Sequence, residues 1–398
     1  MTAESVVGTA DSVESLPRVW DVVVVGAGPA GAMIALELSR LGCSVLLLER
    51  EVFPRWKVCG ACLSPGAQKV LDEAGLGNLV SRLGGVPLGH LELRAWGRRA
   101  RIPLKGSMAV SRAALDTALS EIAGAEGATV VQGVRVRLGP SGPDHRLLRT
   151  PNLPGSPEVR ARVLIAADGV RSGLLGQAGV QGSKDVRGPN ARVGLGAVFE
   201  DENSEYSPGT IHMAVGRAGY VGLVRVEDGA LDVAAAVDPG FLRTAASPGE
   251  AVNEILSGAS FPPLSGRPSQ GWKGTRPLTH RPRQLGADRL FSVGDAAGYV
   301  EPFTGEGMCW ALAGARALAP IAARAARGWH AGFLSEWRDT YSRTVGRSQR
   351  LCSATAWTLR YPVLSRMAVG ILGRYPGMAA PLVGRAASAP PSLRRRGS

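Results

Sequence analysis

From residue 21 the chain alternates solid apolar runs with segments whose apolar residues fall three or four apart. "DVVVV" (21–25) predicts a strand buried on both faces. "GAGPAGAMIALELSRLG" follows at once. There Pro29 suits a first helical turn, Ile34, Leu38 and Leu41 keep helical spacing, and Gly42 marks the end. "SVLLLE" (44–49) predicts a second strand. "AVSRAALDTALSEIA" (109–123) predicts a helix capped by Ser111, with Leu115, Leu119 and Ile122 on one face. "RVLIAADG" (162–169) and "RLFSVGDAAG" (289–298) predict two more buried strands, each running into a glycine turn, and a long helix is expected from about Glu306. Between Arg192 and Val237 the period changes to two. "RVGLGAVFE", "GTIHMAV", "AGYVGLVRV" and "ALDVAAAV", with turns at Gly216–Gly219 and Glu227–Gly229, predict an antiparallel meander.

The order of these elements predicts an α/β fold: a Rossmann-like nucleotide-binding domain with an inserted antiparallel β domain and C-terminal helices. The expected boundaries are a disordered lead-in at 1–18 and the nucleotide domain at 19–185, with an excursion into the β domain near 80–105. The β domain follows at 186–288, the nucleotide domain resumes at 289–330, C-terminal helices fill 331–385, and 386–398 is a disordered tail.

Composition narrows the setting. A chain of 398 residues, 45% hydrophobic, holds two joined domains and a large core. No run of 18 uncharged apolar residues occurs, so no spanning helix is expected. The acidic, polar start is unlike a secretory signal. Five scattered cysteines do not form a disulfide framework, which fits a reducing cytoplasm. Cys59-x-x-Cys62 has no second pair, so no metal site is expected. The net charge of +13 comes from arginines spread along the chain, apart from the final "LRRRGS". With no recognisable binding module, nucleic acid is not an expected partner. An anionic cofactor and an anionic membrane face stay open. The segment 351–385 mixes apolar stretches with Arg360, Arg366, Arg374 and Arg385. It either packs on the nucleotide domain or lies at a membrane surface.

Gly26-x-Gly28-x-x-Gly31 sits between a predicted strand and a predicted helix, the context that gives this spacing its meaning. Gly26 permits the tight turn, Gly28 lets a pyrophosphate approach the backbone, and Gly31 lets helix and strand pack closely. Glu49 ends the second strand, where a carboxylate can hold a ribose. Arg112 lies in a first helical turn, where the dipole favours anions; a cation there makes sense beside a phosphate. The chain has one such fingerprint.

These motifs, with "PRWKVCGACLSPGA" (54–67), "ADG" (167–169) and "GDAAGYVEPFTGEGM" (294–308), resemble the FAD-dependent oxidoreductase superfamily of aromatic-ring hydroxylases and geranylgeranyl reductases. The resemblance covers roughly residues 19 to 330, and the 54–67 and 301–308 stretches are most similar to the reductase branch. It implies a glutathione-reductase/p-hydroxybenzoate-hydroxylase type of FAD domain, with NAD(P)H as a transient reductant. Gly26, Gly28, Pro29, Ala30, Gly31, Glu49 and Arg112 would hold the ADP half. Cys59, Gly60 and Ala61 would pass near the isoalloxazine, and Arg50, Lys57 and Val134 are further cofactor-binding candidates. Asp168 and Gly169 would serve FAD and the nicotinamide cofactor. Gly294 and Asp295 would hold the ribityl chain. Pro302, Gly305, Glu306, Gly307 and Met308 would lead a helix N-terminus toward the flavin, favouring its reduced, anionic form.

The departures matter as much. Leu175 stands where the hydroxylases commonly carry Arg. "GYVGLV" (219–224) has neither the Trp-x-Trp of flavin halogenases nor the aromatic motif of archaeal lipid reductases. Val221, Gly222, Val224, Ala234 and Ala236 predict an apolar pocket over the flavin for a hydrophobic small-molecule substrate. Cys59, Tyr220 and His212 are the candidate proton carriers, each with a packing role as its alternative. On these grounds the sequence leans narrowly to monooxygenation of an aromatic or polyketide-like compound over C=C reduction of an isoprenoid chain. A non-catalytic escort and a redox-neutral flavoenzyme are the readings of other classes.

Overall fold

The apolar run at 21–25 becomes the middle of a nine-stranded sheet. The computed structural model describes residues 7–8, 19–170, 172–180, 191–200, 203–301, 303, 305–358 and 360–379. In this sheet β1 (Val7–Gly8), β2 (Val19–Val25), β3 (Val45–Leu48), β7 (Thr129–Val131), β10 (Glu158–Ala166) and β17 (Leu290–Ser292) run parallel, in the order β1-β7-β3-β2-β10-β17. β16 (Gly286–Ala287) closes one edge, and the hairpin β8 (Arg137–Ser141) and β9 (Arg146–Arg149) folds back on β10. The expectation of a disordered lead-in is corrected at Val7–Gly8, which add to the open backbone edge of Val130–Val131. The rest of the lead-in and the tail at 386–398 lie outside the described residues.

Both faces of this sheet are apolar, and alternation shows why. Val22 and Val24 point into one core with α1 (Pro29–Arg40), α4 (Arg112–Ala125) and α8 (Gly307–Arg327); Val23 points into the other, against Leu46, Leu48 and Leu164. Ile34, Leu36 and Leu38 of α1 are fully buried, each worth roughly 1.5–3 kcal/mol. The short helices α2 (Pro65–Glu73) and α3 (Leu79–Arg82) follow the loop after β3, and α5 (Gly173–Gln177) follows β10.

The second sheet has eight strands. Its order is β15 (Lys273–Pro277), β11 (Val193–Phe199), β14 (Leu231–Val237), β13 (Gly219–Arg225), β12 (Thr210–Gly216), β5 (Val86–Ala95), β6 (Arg98–Ala109) and β4 (Cys62–Leu63). Of the meander expected at 192–237, β12, β13 and β14 form consecutive antiparallel pairs, but β11 pairs with β14 rather than with β12; residues 86–109 join through the parallel pair β5–β12. Helices α6 (Pro239–Thr244) and α7 (Pro248–Gly258) lie along the meander's outer core. The C-terminal part is helical: α9 (Gly332–Tyr341), a widened turn at 342–346, α10 (Arg347–Thr358) and α11 (Pro362–Arg374).

Candidate functional site

Two helix N-termini meet at one cavity of about 500 Å3. Gly28 caps α1 without a side chain, and Glu306 stands at the cap of α8 without bonding the helix end. Gly28, Pro29 and Ala30 line the cavity from α1; Gly305, Gly307 and Met308 line it from α8. Among the described residues no side chain accepts from the first N–H groups of either helix, an arrangement suited to an anion. By contrast α4, which also borders the cavity, is capped by Ser111 Oγ accepting from Ala114 N at 3.0 Å.

Two backbone contacts set this geometry. A Cβ on Gly31 would stand 1.7 Å from the Gly26 carbonyl oxygen, and Gly26 itself has φ +100°, so the β2–α1 turn closes only with glycine at both places. Gly294, at φ +63°, brings its backbone so near α1 that a Cβ would lie 2.7 Å from that of Ala30. This seats the turn Gly294–Ala297 against α1 and sets Asp295 on the cavity wall.

A buried charge cluster flanks the glycines. Arg112 donates to Asp116 from Nε (2.8 Å) and Nη2 (2.7 Å) one helical turn away. Arg55 approaches the same carboxylate at 3.0 Å and Glu49 at 3.6 Å, while Glu49 accepts from the Ala27 N–H at 2.8 Å. Burial works against the Arg112 charge, but Asp116 outweighs it and holds the guanidinium firmly protonated. A Cβ on Gly28 would meet Arg112 Nη2 at 3.3 Å and Arg55 Nη2 at 3.9 Å, so bare backbone and two guanidinium groups face one another across a narrow gap. Lys57 lies beyond, with its ammonium nitrogen 3.4 Å from where a Gly169 Cβ would be; burial, then Arg112, lowers its pKa. Asp168 Oδ1 is buried without a hydrogen-bond partner. Burial raises the Asp168 carboxyl.

The far end of the cavity changes character. Among the described residues its charged lining side chains, Lys57, Arg112 and Asp295, all stand at the glycine end. The other end is walled by aliphatic side chains of the second sheet, among them Leu91, Leu93, Ile102, Leu104, Ile211 and Met213. Cys59 and Cys62 also line the cavity, Cys59 within hydrogen-bond reach of Arg112; burial raises both thiols, so both keep their protons at neutral pH. Tyr220 and Tyr299 also line the cavity, and burial holds both phenols protonated. The Tyr220 ring meets Phe303 edge-on at 5.2 Å.

Of the residues singled out in the sequence, Gly28, Pro29, Ala30, Lys57, Cys59, Gly60, Arg112, Gly169, Tyr220, Asp295, Gly305, Gly307 and Met308 come together on the cavity wall. Gly26, Gly31, Ala61, Val134 and Gly294 sit behind it: Val134 N donates to the Glu49 carbonyl at 2.8 Å, and Ala61 adopts φ +48° between the two cysteines. Pro302 lies outside the described residues. Three side chains are elsewhere. Arg50 is exposed and pairs with Glu51 at 3.2 Å. Glu306 is buried against Ser64 Oγ, which donates to it at 3.3 Å, and burial pushes its carboxyl up to about 7. His212 is a correction to the proton-carrier set. Alternation along β12 sends Ile211 and Met213 into the cavity and His212 to the opposite face, against Tyr206 (5.2 Å) and Phe261 (6.0 Å). Val221 turns away likewise, whereas Gly222, Val224, Ala234 and Ala236 line the cavity. Leu175 is a buried core residue whose N–H donates to Ser172 Oγ.

Sequence reasoning passed over Arg55, Asp116 and Tyr299. Asp116 carried a signal, since it stands four residues after Arg112 on a predicted helix. Glu301 was also passed over. It is buried between Arg192 (3.1 Å) and Arg360 (3.3 Å), and so links the start of β11 to the turn between α10 and α11.

The sequence profile of the family described as "FAD binding domain" matches residues 19–349. Among curated proteins, conditioned medium factor receptor 1 of Dictyostelium discoideum is 27% identical over 389 residues, covering 89% of this chain and 74% of that protein. Menaquinone reductase of Mycobacterium tuberculosis is 28% identical, covering 83% of each chain. Digeranylgeranylglycerophospholipid reductase 1 of Methanopyrus kandleri is 27% identical, covering 81% of this chain and 86% of the reductase. Among solved structures, the flavin-dependent brominase Bmp2 superposes with a TM-score of 0.72 at 17% identity, covering 92% of each chain, a likeness of fold.

Proposed function

The chain belongs to the FAD-binding domain family of FAD-dependent oxidoreductases, and from that premise we propose that it reduces a carbon–carbon double bond in a long apolar, isoprenoid-type substrate. The residues present fit FAD. The bare backbone at Gly28, facing Arg112 and Arg55, matches a pyrophosphate; Glu49 stands where a ribose would be held; Asp295 and the orphaned Asp168 oxygen offer acceptors to hydroxyl groups. The N-terminus of α8 favours negative charge on whatever lies against it. Bound FAD would supply a two-electron carrier, recharged by a nicotinamide cofactor.

The single observation that carries the reading is the segregation of charge along the cavity. Among the described residues every charged lining side chain stands at the nucleotide end, so the other end suits a hydrocarbon. Reduction of a double bond takes two electrons and two protons. Cys59 lines the cavity beside Arg112 and holds its proton, as a donor to carbon must. The names of the mycobacterial and archaeal relatives support the same reaction type and an isoprenoid or quinone substrate.

Monooxygenation of a ring compound is the second reading. Gly222, Ala234 and Ala236 favour it, because they leave width on the sheet side for a rigid ring. Against it, the protonatable groups facing the apolar end are hydroxyls and thiols that keep their protons. Among the described residues there, none is a base to activate a phenol. The experiment that separates the two supplies NADPH with polyprenyl compounds and with alkylphenols, in air and without oxygen. A polyprenyl product richer by two hydrogens without oxygen supports reduction. A product labelled from 18O2 overturns it.

A further inference from the structure

Exposed apolar residues are not scattered over this protein. Among the described residues, nine of the twelve exposed large hydrophobic side chains fall between Leu351 and Met378. Helix α11 explains the cluster. Its inner face, with Ala368, Val369 and Leu372, walls the apolar end of the cavity. Its outer face carries Leu364, Met367 and Ile371, which are 40%, 58% and 45% exposed. A helix apolar on both faces, with one against a cavity and the other uncovered, is not built for water. At the α10–α11 turn the rings of Trp357 and Tyr361 lie 4.7 Å apart and both are exposed, as aromatic side chains are where apolar and aqueous phases meet.

The charge of this region is one-sided. No Asp or Glu follows Asp339 in the sequence. Arg347, Arg350, Arg366 and Arg374 are exposed on the same helices. Nearby, the β6 strand "RRARIPLK" (98–105) exposes Arg98, Arg99, Arg101 and Lys105; a Cβ on Gly373 of α11 would stand 2.5 Å from the Arg99 carbonyl oxygen. Ala354 of α10 lines the cavity and is also exposed, which marks a mouth inside the apolar patch.

We propose that residues 351–378 dock on an anionic lipid bilayer, with α11 lying in the interface, and that the apolar substrate enters the cavity from the lipid between α10 and α11. The charge selects the occupant. A basic rim around an apolar, aromatic-edged stripe complements anionic headgroups over hydrocarbon, whereas a second copy of the same face would bring like charges together. The docking half stands on exposure and charge alone; the entry half rests on the proposed apolar substrate.

The test is co-sedimentation of the flavin-loaded full chain with vesicles of phosphatidylcholine, with and without phosphatidylglycerol. The protein is expected to pellet with the anionic vesicles and to be released in part at high salt. The double variant Met367→Glu, Ile371→Glu should partition at least about tenfold less while keeping its flavin spectrum. The pair Arg366→Ser, Arg374→Ser should lose the preference for anionic vesicles; should the first variant lose its flavin, this pair alone decides. No pelleting with either vesicle, or equal pelleting by the wild type and the deciding variant, overturns the proposal. So does a wild-type dimer that Met367→Glu, Ile371→Glu converts to monomer, which assigns the face to a second copy. Turnover of a short, water-dispersible prenyl compound separates the two claims. It persists in both variants if only docking fails, and it is absent from the wild type, with vesicle binding intact, if the reductase reading fails.

Discussion

Asp116 grips Arg112 with both carboxylate oxygens, at 2.8 and 2.7 Å, and both side chains are buried beneath the glycine turn. The pair fixes the guanidinium facing Gly28 and keeps it charged, so a cation is ready before any phosphate arrives. Asp116→Ala leaves Arg112 and Arg55 short of their shared counter-charge. Breaking a buried pair in this way costs about 3–5 kcal/mol. Denaturant unfolding of the flavin-free protein checks it, and a midpoint equal to wild type would remove the pair from the account.

Asp295→Ala should act differently. The side chain stands on the cavity wall, so its loss is expected to lower flavin retention after desalting with little effect on flavin-free stability. Gly294→Ala should lower both, because it combines a positive φ with a Cβ only 2.7 Å from that of Ala30. The backbone strain alone is worth about 1–3 kcal/mol. Retention unchanged in both variants would mean that this turn does not hold the cofactor.

How these parts read from sequence differs by the kind of information each carries. The glycine turn and the parallel strands were legible because their signals are local: Val22 to Val25 need apolar surroundings on both sides, and Gly26, Gly28 and Gly31 need bare backbone. The N-cap of α4 at Ser111 was legible for the same reason. The side of the sheet to which a residue turns was not. His212 and Val221 sit among cavity-lining neighbours, and only the register of β12 and β13 shows that they face away. Arg55 and Glu301 act through partners 59 to 109 residues away, and such pairing leaves no mark on composition or period; Asp116, four residues after Arg112 on one helix, did leave a mark that was passed over. The strand at Val7–Gly8 was missed because two residues are too few to show alternation.

Glu306 carries a pH signature. Burial raises its carboxyl from 4.5 to about 7, against hydrogen bonds with Ser64 and Cys309 that favour the ionised form. Between these values the folded protein binds the extra proton, so the stability that Glu306 contributes is fully present below about pH 4.5 and is lost as pH rises through about 7. The full loss is ~3 kcal/mol. Glu306→Gln should flatten that slope in urea unfolding of the flavin-free protein across this range. A variant with the same slope as wild type would show that another group titrates there.

Cys59→Ala is expected to keep flavin content and the rate of flavin reduction by the nicotinamide cofactor, while slowing transfer to the apolar substrate by about 10²-fold or more, the scale of a lost general acid. Stopped-flow absorbance of the two half-reactions separates them. An equal substrate half-reaction would return Cys59 to a packing role.

The reaction itself is tested most directly by one anaerobic turnover. Protein with its flavin already reduced is mixed with a polyprenyl compound in the absence of oxygen, and flavin absorbance is followed together with product mass. The account predicts that the flavin reoxidises at once and that the product has gained two hydrogens. A flavin that stays reduced until oxygen is admitted, with a product that then carries oxygen from 18O2, would contradict it.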